Sequence, residues 1–438
     1  MNQRIVYLFL ISLIGLVPER SIAQSQRQEI VTPSGNVITP PTTVENPRDR
    51  GQRAHTNHLI FEPEKGPLRR SGLPVGETPG SLACVYGTPT SPTNSPNCPI
   101  TGNISSGNNG LPNANGGSGI IAIVDPYDYP TAQNDLNVFS DQFGLPELPE
   151  CTTANPCFQK IFASGTKPSA SCGWAQEAAL DIEWAHAMAP NAKIVLVEAA
   201  SNSIADLLSA VDVASSIVTA NGGKGQVSMS WGGSEFSSET SHDSHFTANN
   251  VVYFAASGDS GGKAIWPGVS PNVVSAGGTT INRDSSGNYV SETAWSGSGG
   301  GASQYEFRPS YQDPIWDMVG TQRGAPDLSF NANPNTGVWV YDSTSCHGQS
   351  GWLIFGGTSV SAPSLAGIVN AAGTFASSST SELGTIYSIC GNGASSCISP
   401  STSPDFRDIT SGTAGSFTAK TGWDFVTGIG SNFGLVGK

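Results

Sequence analysis

Five apolar residues in a row, Ile120-Ile121-Ala122-Ile123-Val124, stop abruptly at Asp125. A short continuous run with a polar end reads as a strand buried on both faces. The pattern recurs at 193–198 (K-I-V-L-V-E), 226–230, 251–256 and, more briefly, 273–276. Between these runs the apolar spacing changes to the helical period. Residues 173–189 read as a helix, 204–218 as an amphipathic helix, and 365–375 as part of a third. Strand alternating with helix is the pattern of a parallel sheet covered on both faces. The expected fold class is therefore α/β, a parallel sheet flanked by helices on both sides. Ligands in such sheets sit beyond the carboxyl ends of the strands. Residues 320–438 mix short strands with Gly and Asn turns, and no internal repeat is evident.

Upstream the texture differs. Met-Asn-Gln-Arg precedes an apolar run over 5–17, then Pro18 and the small residues Ser21-Ile22-Ala23. This predicts a signal peptide over 1–23. The run is too short to cross a bilayer, and no later run approaches the ~20 residues required. The mature chain is expected to be exported and soluble, extracellular or periplasmic. Residues 24–80 are polar and proline-containing, without sustained period, and read as an extended or weakly structured leader. They hold Arg48, Arg50, Arg53, Lys65, Arg69 and Arg70. Residues 87–118 are rich in Thr, Ser, Pro, Asn and Gly and read as a linker or surface loop. The boundaries taken are 1–23, a leader or short pro-segment-like region over 24–114, and one main domain over 115–438.

Charge narrows the function. Asp plus Glu number 34 against 20 Lys plus Arg, a net −14, which repels nucleic acid. Few ion pairs also leave few for acid to break. Eight cysteines, an even count in an exported chain, favour disulfides. Cys84/Cys98, Cys151/Cys157 and Cys390/Cys397 are close in sequence, leaving Cys172 and Cys346 by elimination only. No Cys-x-x-Cys or histidine cluster points to zinc.

Candidate chemistry gathers in three places. Gly356-Gly357-Thr358-Ser359-Val360-Ser361-Ala362-Pro363 lies between the apolar run Trp352-Leu353-Ile354-Phe355 and a helix-compatible run. Ser359 there sits near unpaired helix N–H groups, a setting that suits a nucleophile and equally an ordinary cap. Glu177 and Asp181 are four residues apart in a segment of Ala, Leu, Ile and Trp. On a helix they share a face. Burial and like charge would raise a pKa in the pair; a solvated acidic face is the plainer alternative. Glu183 is out of phase and is expected at the surface or behind the pair. Asp259 follows the 251–256 run in Ser257-Gly258-Asp259-Ser260-Gly261. It fits a turn aspartate, or a protonated donor to an oxyanion. Trp231 fits core packing or a cleft wall, Asp125 a partner near the acidic pair, and His186 a packed or surface position.

Together these residues resemble the sedolisin family, the serine-carboxyl peptidases, whose sheet is like that of subtilisin. The family's Ser-Gly-Thr-Ser-x-x-x-Pro appears as Gly356 to Pro363, with Gly in the first place. Its Glu-x-x-x-Asp helix corresponds to Glu177 and Asp181, its oxyanion aspartate to Asp259, and its Ser-x-Ser-Trp-Gly to Ser228 through Gly232. A networking glutamate corresponds to Asp125, one methylene shorter. The match covers 115–438, with a weaker echo at Ser81-Leu82-Ala83-Cys84-Val85-Tyr86-Gly87. The resemblance implies an acid-active serine-type endopeptidase, with tripeptidyl-peptidase action open, acting as a monomer on protein or peptide substrates. Ser359 would be the nucleophile, Glu177 the base, Asp181 its orienter and Asp259 the oxyanion donor. It also implies one structural Ca2+ held by the carboxylates of Asp408 and Asp424 and the carbonyls of Ile409, Lys420 and Gly422. Oxygen-only ligation suits that ion. Without the resemblance these aspartates read as caps or Asx turns. Family members carry a folded propeptide, whereas 24–114 reads as poorly foldable. That leaves open maturation without such a domain, another purpose for the segment, or an upstream part missing from the sequence. The rival functions are a catalytically silent secreted binding or structural protein and a histidine-dependent esterase. All four catalytic candidates are present, and Gly-Thr-Ser-Val-Ser is not the esterase's Gly-x-Ser-x-Gly.

Overall fold

The computed structural model describes residues 28–32, 35–63, 76–88, 97–100, 116–151, 156–399 and 405–438. The predicted signal peptide and Lys65, Arg69 and Arg70 lie outside these residues.

The apolar runs form one ten-stranded sheet. Its order is Phe406–Arg407, Ser431–Asn432, Leu328–Asn331, Val274–Arg283, Val251–Ala256, Gly225–Met229, Ile120–Pro126, Lys193–Ala199 and Phe158–Phe162, with Tyr289–Ala294 also paired to Val274–Arg283. Every pairing from Phe158–Phe162 to Ser431–Asn432 is parallel. The expected short run at 273–276 is longer, because Gly277-Gly278 continues it where Pro326, Ser329 and Trp295 leave no room for a Cβ.

Alternation along the strands sorts the core into two layers. Ile121, Ile123, Ile194 and Leu196 pack on one face, under the helices Cys172–Met188 and Thr358–Ala371. Ala122, Val124, Val195 and Val197 pack on the other, with Leu207, Leu208, Val211, Ala214 and Val218 of the helix Ile204–Thr219. With the turn that follows it, the stretch Ile204–Gly222 is apolar and long enough to pass for a membrane span by composition, but the helix packs its apolar face on the sheet. The two helices on the first face lie against each other. A Cβ on Gly367 would stand 2.6 Å from the Met188 Cβ. Apart from Cys172 at the start of the first, every residue of both is buried, so neither has a wet side.

The 24–80 segment departs from the expected loose leader. Gln28–Thr32, Gly35–Thr39 and Leu59–Pro63 join Gln349–Gly356 and Val338–Cys346 in a five-stranded antiparallel sheet. Val37, Ile38, Ile60 and Phe61 are buried in the main core. Each strand is only five residues long, and the partner that ties Leu59–Pro63 to the rest, Gln349–Gly356, lies far along the chain. A local reading of periodicity has too few positions to register such a strand. Four disulfides pair Cys84–Cys98, Cys151–Cys157, Cys172–Cys346 and Cys390–Cys397, in agreement with the sequence reading.

If the 35–63 segment is integral to the core, Phe61→Ala should cost about 3–5 kcal/mol, as buried Phe truncations do. Urea unfolding measures this; a change below about 1 kcal/mol would mean that the segment packs loosely.

Candidate active site

Ser359 lies in the first turn of the helix Thr358–Ala371, which begins earlier than the apolar pattern indicated. Its N-cap, Gly357, has φ +101°, a conformation that suits glycine. A Cβ there would stand 2.2 Å from the Asn57 carbonyl oxygen and 2.5 Å from Asp259 Oδ2. The glycine therefore marks a point on which three pieces of backbone and side chain close.

Asp259 follows the strand Val251–Ala256 and is clamped to the residue before Ser359. Its Oδ1 accepts from the Thr358 N–H at 2.8 Å and from the Thr358 hydroxyl at 2.9 Å. The Gly258 N–H donates to the same hydroxyl oxygen at 3.1 Å. Oδ2 is buried without a partner. Burial raises the carboxyl to about 8, the Thr358 bonds oppose this, and the Glu177 charge adds to it. Below that pH Asp259 is neutral, and Oδ2 is the oxygen free to carry the proton and donate it.

Glu177 and Asp181 are fully buried on Cys172–Met188. The solvated-face reading is thereby excluded. Burial raises Glu177 to about 8, opposed by the Ser359 hydroxyl and the Asn57 N–H. Its Oε1 has no partner. Asp181 is raised well above the usual range, first by burial and then by the Glu177 charge, and the Ser230 hydroxyl opposes this. That hydroxyl donates to Asp181 Oδ1 at 2.7 Å. Asp125 ends its strand beside them and makes no hydrogen bond through either oxygen. It is raised by burial, then by Asp181, Glu177 and Glu198. Three carboxyls so close and so dry cannot all be charged, and they titrate as a group.

Ser359 itself is buried. Its hydroxyl donates to the Ser230 carbonyl at 3.1 Å, and its N–H donates to the Asn57 carbonyl at 3.1 Å.

Two participants escaped sequence reading. Glu177 Oε2 accepts from the Asn57 N–H at 3.2 Å and lies 2.8 Å from His58 Nδ1. His58 is fully buried, its ring against Phe355 at 5.2 Å. Burial lowers it to about 3, with Asp342 opposing. It is therefore uncharged in mild acid. One signal was available: His55 and His58, two of only six histidines, stand three apart beside the apolar Leu59-Ile60-Phe61.

The secondary candidates are also placed. Trp231 is core, its Nε1 donating to the Val124 carbonyl at 2.8 Å. Glu183 is buried rather than at the surface, accepting from the Tyr341 N–H at 3.0 Å. His186 is packed, its Nε2 2.9 Å from the Pro146 carbonyl.

The proposed cation ligands come together in the C-terminal loops. Gly422 N–H donates to Asp408 Oδ2 at 3.0 Å and Lys420 N–H to Asp424 Oδ2 at 2.9 Å. Asp424 Oδ1 accepts from Val426 and Thr427. Asp408 Oδ1 is buried and unpartnered, an oxygen left over for a cation. Ile409 is buried next to it in sequence. The donor set fits an oxygen-ligated ion, although backbone N–H groups already use most of the Asp424 carboxylate.

The fold and the serine–carboxyl grouping at the sheet's C-terminal edge define a subtilisin-like α/β protein. The structure of Pseudomonas sedolisin, a serine-carboxyl proteinase complexed with two molecules of pseudo-iodotyrostatin, matches it with TM-score 0.61 and 24% identity, covering 82% of this chain and 95% of that one. Sedolisin of Pseudomonas sp. (strain 101) is 33% identical over 210 residues, 45% of this chain and 33% of that protein. Kumamolisin of Bacillus sp. (strain MN-32) is 33% identical over 295 residues, 59% of this chain and 49% of that protein. No family model matches the chain. The chain thus spans from a third to about half of the length of these curated relatives. Its fold is that of the Pseudomonas sedolisin structure, and over these stretches its sequence is similar to sedolisin and kumamolisin.

The raised carboxyls set a pH dependence of stability. Glu177 and Asp259 stand at about 8, Glu306 at about 8, Glu239 at about 9 and Glu198 at about 7, each chiefly through burial. In the unfolded chain such groups titrate near 4. Their contribution is complete below that value and is lost as pH rises through 7–9. Thermal melts should therefore give a higher Tm near about pH 5 than near about pH 9. A Tm that climbs over this range would contradict the assignment of these groups as buried and neutral.

Proposed function

We propose that this protein is an exported serine-carboxyl peptidase, an endopeptidase that hydrolyses proteins in acid through an acyl-enzyme on Ser359. The observation that carries this reading is that the Ser359 N–H donates to the Asn57 carbonyl, while that carbonyl oxygen and the unpartnered Asp259 Oδ2 border one point, 2.2 and 2.5 Å from a Cβ placed on Gly357. A backbone N–H and a protonated carboxyl beside a serine hydroxyl are the donors a tetrahedral oxyanion needs. The four disulfides and the predicted signal peptide support export.

In this reading Ser359 attacks the scissile carbonyl and Glu177 takes its proton. Glu177 Oε1, buried and unpartnered, is the acceptor available for it. Asp181 sets the orientation of Glu177 by sharing the buried acidic site, and is itself held by Ser230. Asp259, neutral, donates to the oxyanion with the Ser359 N–H. Glu177 then protonates the leaving amine, and water cleaves the ester by the reverse sequence. A carboxyl base favours acid, because a histidine would be protonated there and a cleft glutamate open to water titrates near 4.3. The raised value of Glu177 belongs to a site covered by Asn57 and His58. The silent-scaffold alternative finds no missing catalytic group in its support.

Ser359→Ala and Glu177→Gln should lower hydrolysis of a denatured protein at about pH 3–5 by roughly 10³-fold or more. Asp259→Ala should lower kcat by about 10²–10³-fold with little change in KM. Activity near wild type in Ser359→Ala would end the proposal. Mapping the peptides released separates endo- from tripeptidyl-peptidase action.

A structural Ca2+ held by Asp408, Asp424 and the carbonyls of Ile409, Lys420 and Gly422 is part of the same proposal. Chelator should lower the Tm of the wild type and leave Asp408→Asn unmoved, as calorimetry would show. Equal shifts in both would remove the ion from Asp408.

A further inference from the structure

Three of the disulfides close short stretches, with sequence separations of 14, 6 and 7. The other, Cys172–Cys346, spans 174 and has a different place in the fold. Cys172 is the first residue of the helix that carries Glu177 and Asp181, and the one residue of that helix that is not buried. Ser171, the N-cap, makes no side-chain cap bond, and the cross-link stands where a cap would hold the helix start. Cys346 ends the strand Val338–Cys346 and pairs with Gln349 across a tight turn through His347 and Gly348. The first strand of this hairpin grips the same helix further along. The Tyr341 N–H donates to Glu183 Oε2 at 3.0 Å, and Trp184 Nε1 donates to the Trp339 carbonyl at 3.0 Å. The second strand, Gln349–Gly356, runs into the Ser359 helix. One hairpin thus holds the Glu177 helix with one strand and delivers Ser359 with the other, and the disulfide joins its tip to the helix start.

We propose that the Cys172–Cys346 bond is a redox-sensitive latch: closed, it sets Glu177 against Ser359, and opened by a dithiol, it turns peptide hydrolysis down. Cys172 and Cys346 are then positioning residues. The inference rests on the peptidase reading above. Glu177 lies about one and a half turns along the helix from Cys172, near enough to follow the helix start. Asp181 and Glu183, farther on, stay held by Ser230 and Tyr341. A misplacement of about 1 Å at a catalytic group costs about 10²-fold in rate, so a small relaxation of the first turns is enough.

The bond is also placed for exchange. Cys172 is partly exposed and Cys346 is buried, so an incoming thiolate reaches the Cys172 sulfur. It bonds to Cys172 Sγ, the Cys172–Cys346 bond breaks, and the electron pair goes to Cys346 Sγ. A ring nitrogen of the exposed His347 lies within 4.8 Å of both sulfurs. Protonated, that ring pairs with the leaving thiolate. No other disulfide has a histidine so placed among the described residues. The second thiol of the reductant then attacks its own sulfur in the mixed disulfide, closing a cyclic disulfide and releasing Cys172. Cys172 and Cys346 end as thiols, having taken two electrons and two protons from the dithiol.

The test uses the full chain, oxidised and after brief treatment with dithiothreitol at about pH 7, beside the double variant Cys172→Ser with Cys346→Ser. Alkylation and peptide mass mapping report which cysteines open. Hydrolysis of denatured haemoglobin is then measured at about pH 4, well below the Tm. Cys172 and Cys346 are expected to open first. With them open, kcat should fall by roughly tenfold or more while KM stays within about twofold, and reoxidation should restore it. The double variant should match the reduced protein; if it does not fold, the reduced wild type, its fold checked by circular dichroism, carries the comparison. Cys390→Ser with Cys397→Ser removes a disulfide away from this hairpin and should keep the wild-type kcat. Full kcat with Cys172 and Cys346 open would overturn the inference and leave the peptidase reading standing. So would earlier opening of another disulfide, or an equal loss of kcat in the Cys390/Cys397 variant. Equal rates of opening in wild type and His347→Gln would overturn the exchange step as written. If the oxidised wild type does not hydrolyse haemoglobin, both readings fall.

Discussion

The site depends on two helices that have no wet face. Thr358–Ala371, and Cys172–Met188 past its first residue, are buried along their whole length and lie against each other on one side of the sheet. Apolar packing holds them there, and its strength comes from the number of atoms taken out of water. That packing carries two carboxyls and a serine into the interior with it. Glu177 and Asp181 do not choose burial; their helix has nowhere else to put them. A charged carboxylate in such a place is costly unless paired. No cation pairs with either group among the described hydrogen bonds and ion pairs. The cheaper state is the neutral one, which is why their pKa values rise.

The same logic extends along the sheet's carboxyl edge. Asp125 near the end of its strand and Asp259 just past the end of its own rise as well, each chiefly through burial. For Asp259 neutrality is useful, since only the protonated form can donate. For Glu177 it is a handicap, since only the ionised form can accept. In the proposed acyl transfer, burial thus favours one half of the site and hinders the other. Relief for Glu177 has to come from water or from donors, and the Asn57 N–H, 3.2 Å from Oε2, opposes the shift only in part.

Most of the central sheet was legible because its strands are continuous apolar runs ending in polar residues, and the helices between them are long enough to show a period. Ser359, Glu177, Asp181 and Asp259 were legible because each lies at a strand end or on an apolar helix where its residue type is out of place. The 28–63 segment was not. Its strands are five residues long, and Val37, Ile38, Ile60 and Phe61 are too few to separate from chance. Their burial depends on Gln349–Gly356, which local pattern cannot bring near. Of the two places open to Glu183, the surface is excluded for a related reason. Phase on a helix predicts an exposed face only when the helix has one, and this one is covered on that side by Val338–Cys346.

The unread segment alters the meaning of the read one. Asn57 and His58 lie over the acidic pair and the serine, and both contact one oxygen of Glu177. The raised Glu177 is therefore a property of the covered cleft and not of the triad alone. Without the strand over it, water would reach the carboxyl, the desolvation that dominates its shift would shrink, and the group would move back toward ordinary acid titration. Asp259 keeps its clamp on Thr358 in either state, because that clamp is made within the catalytic core and not with the segment. Uncovering thus acts on the base far more than on the donor.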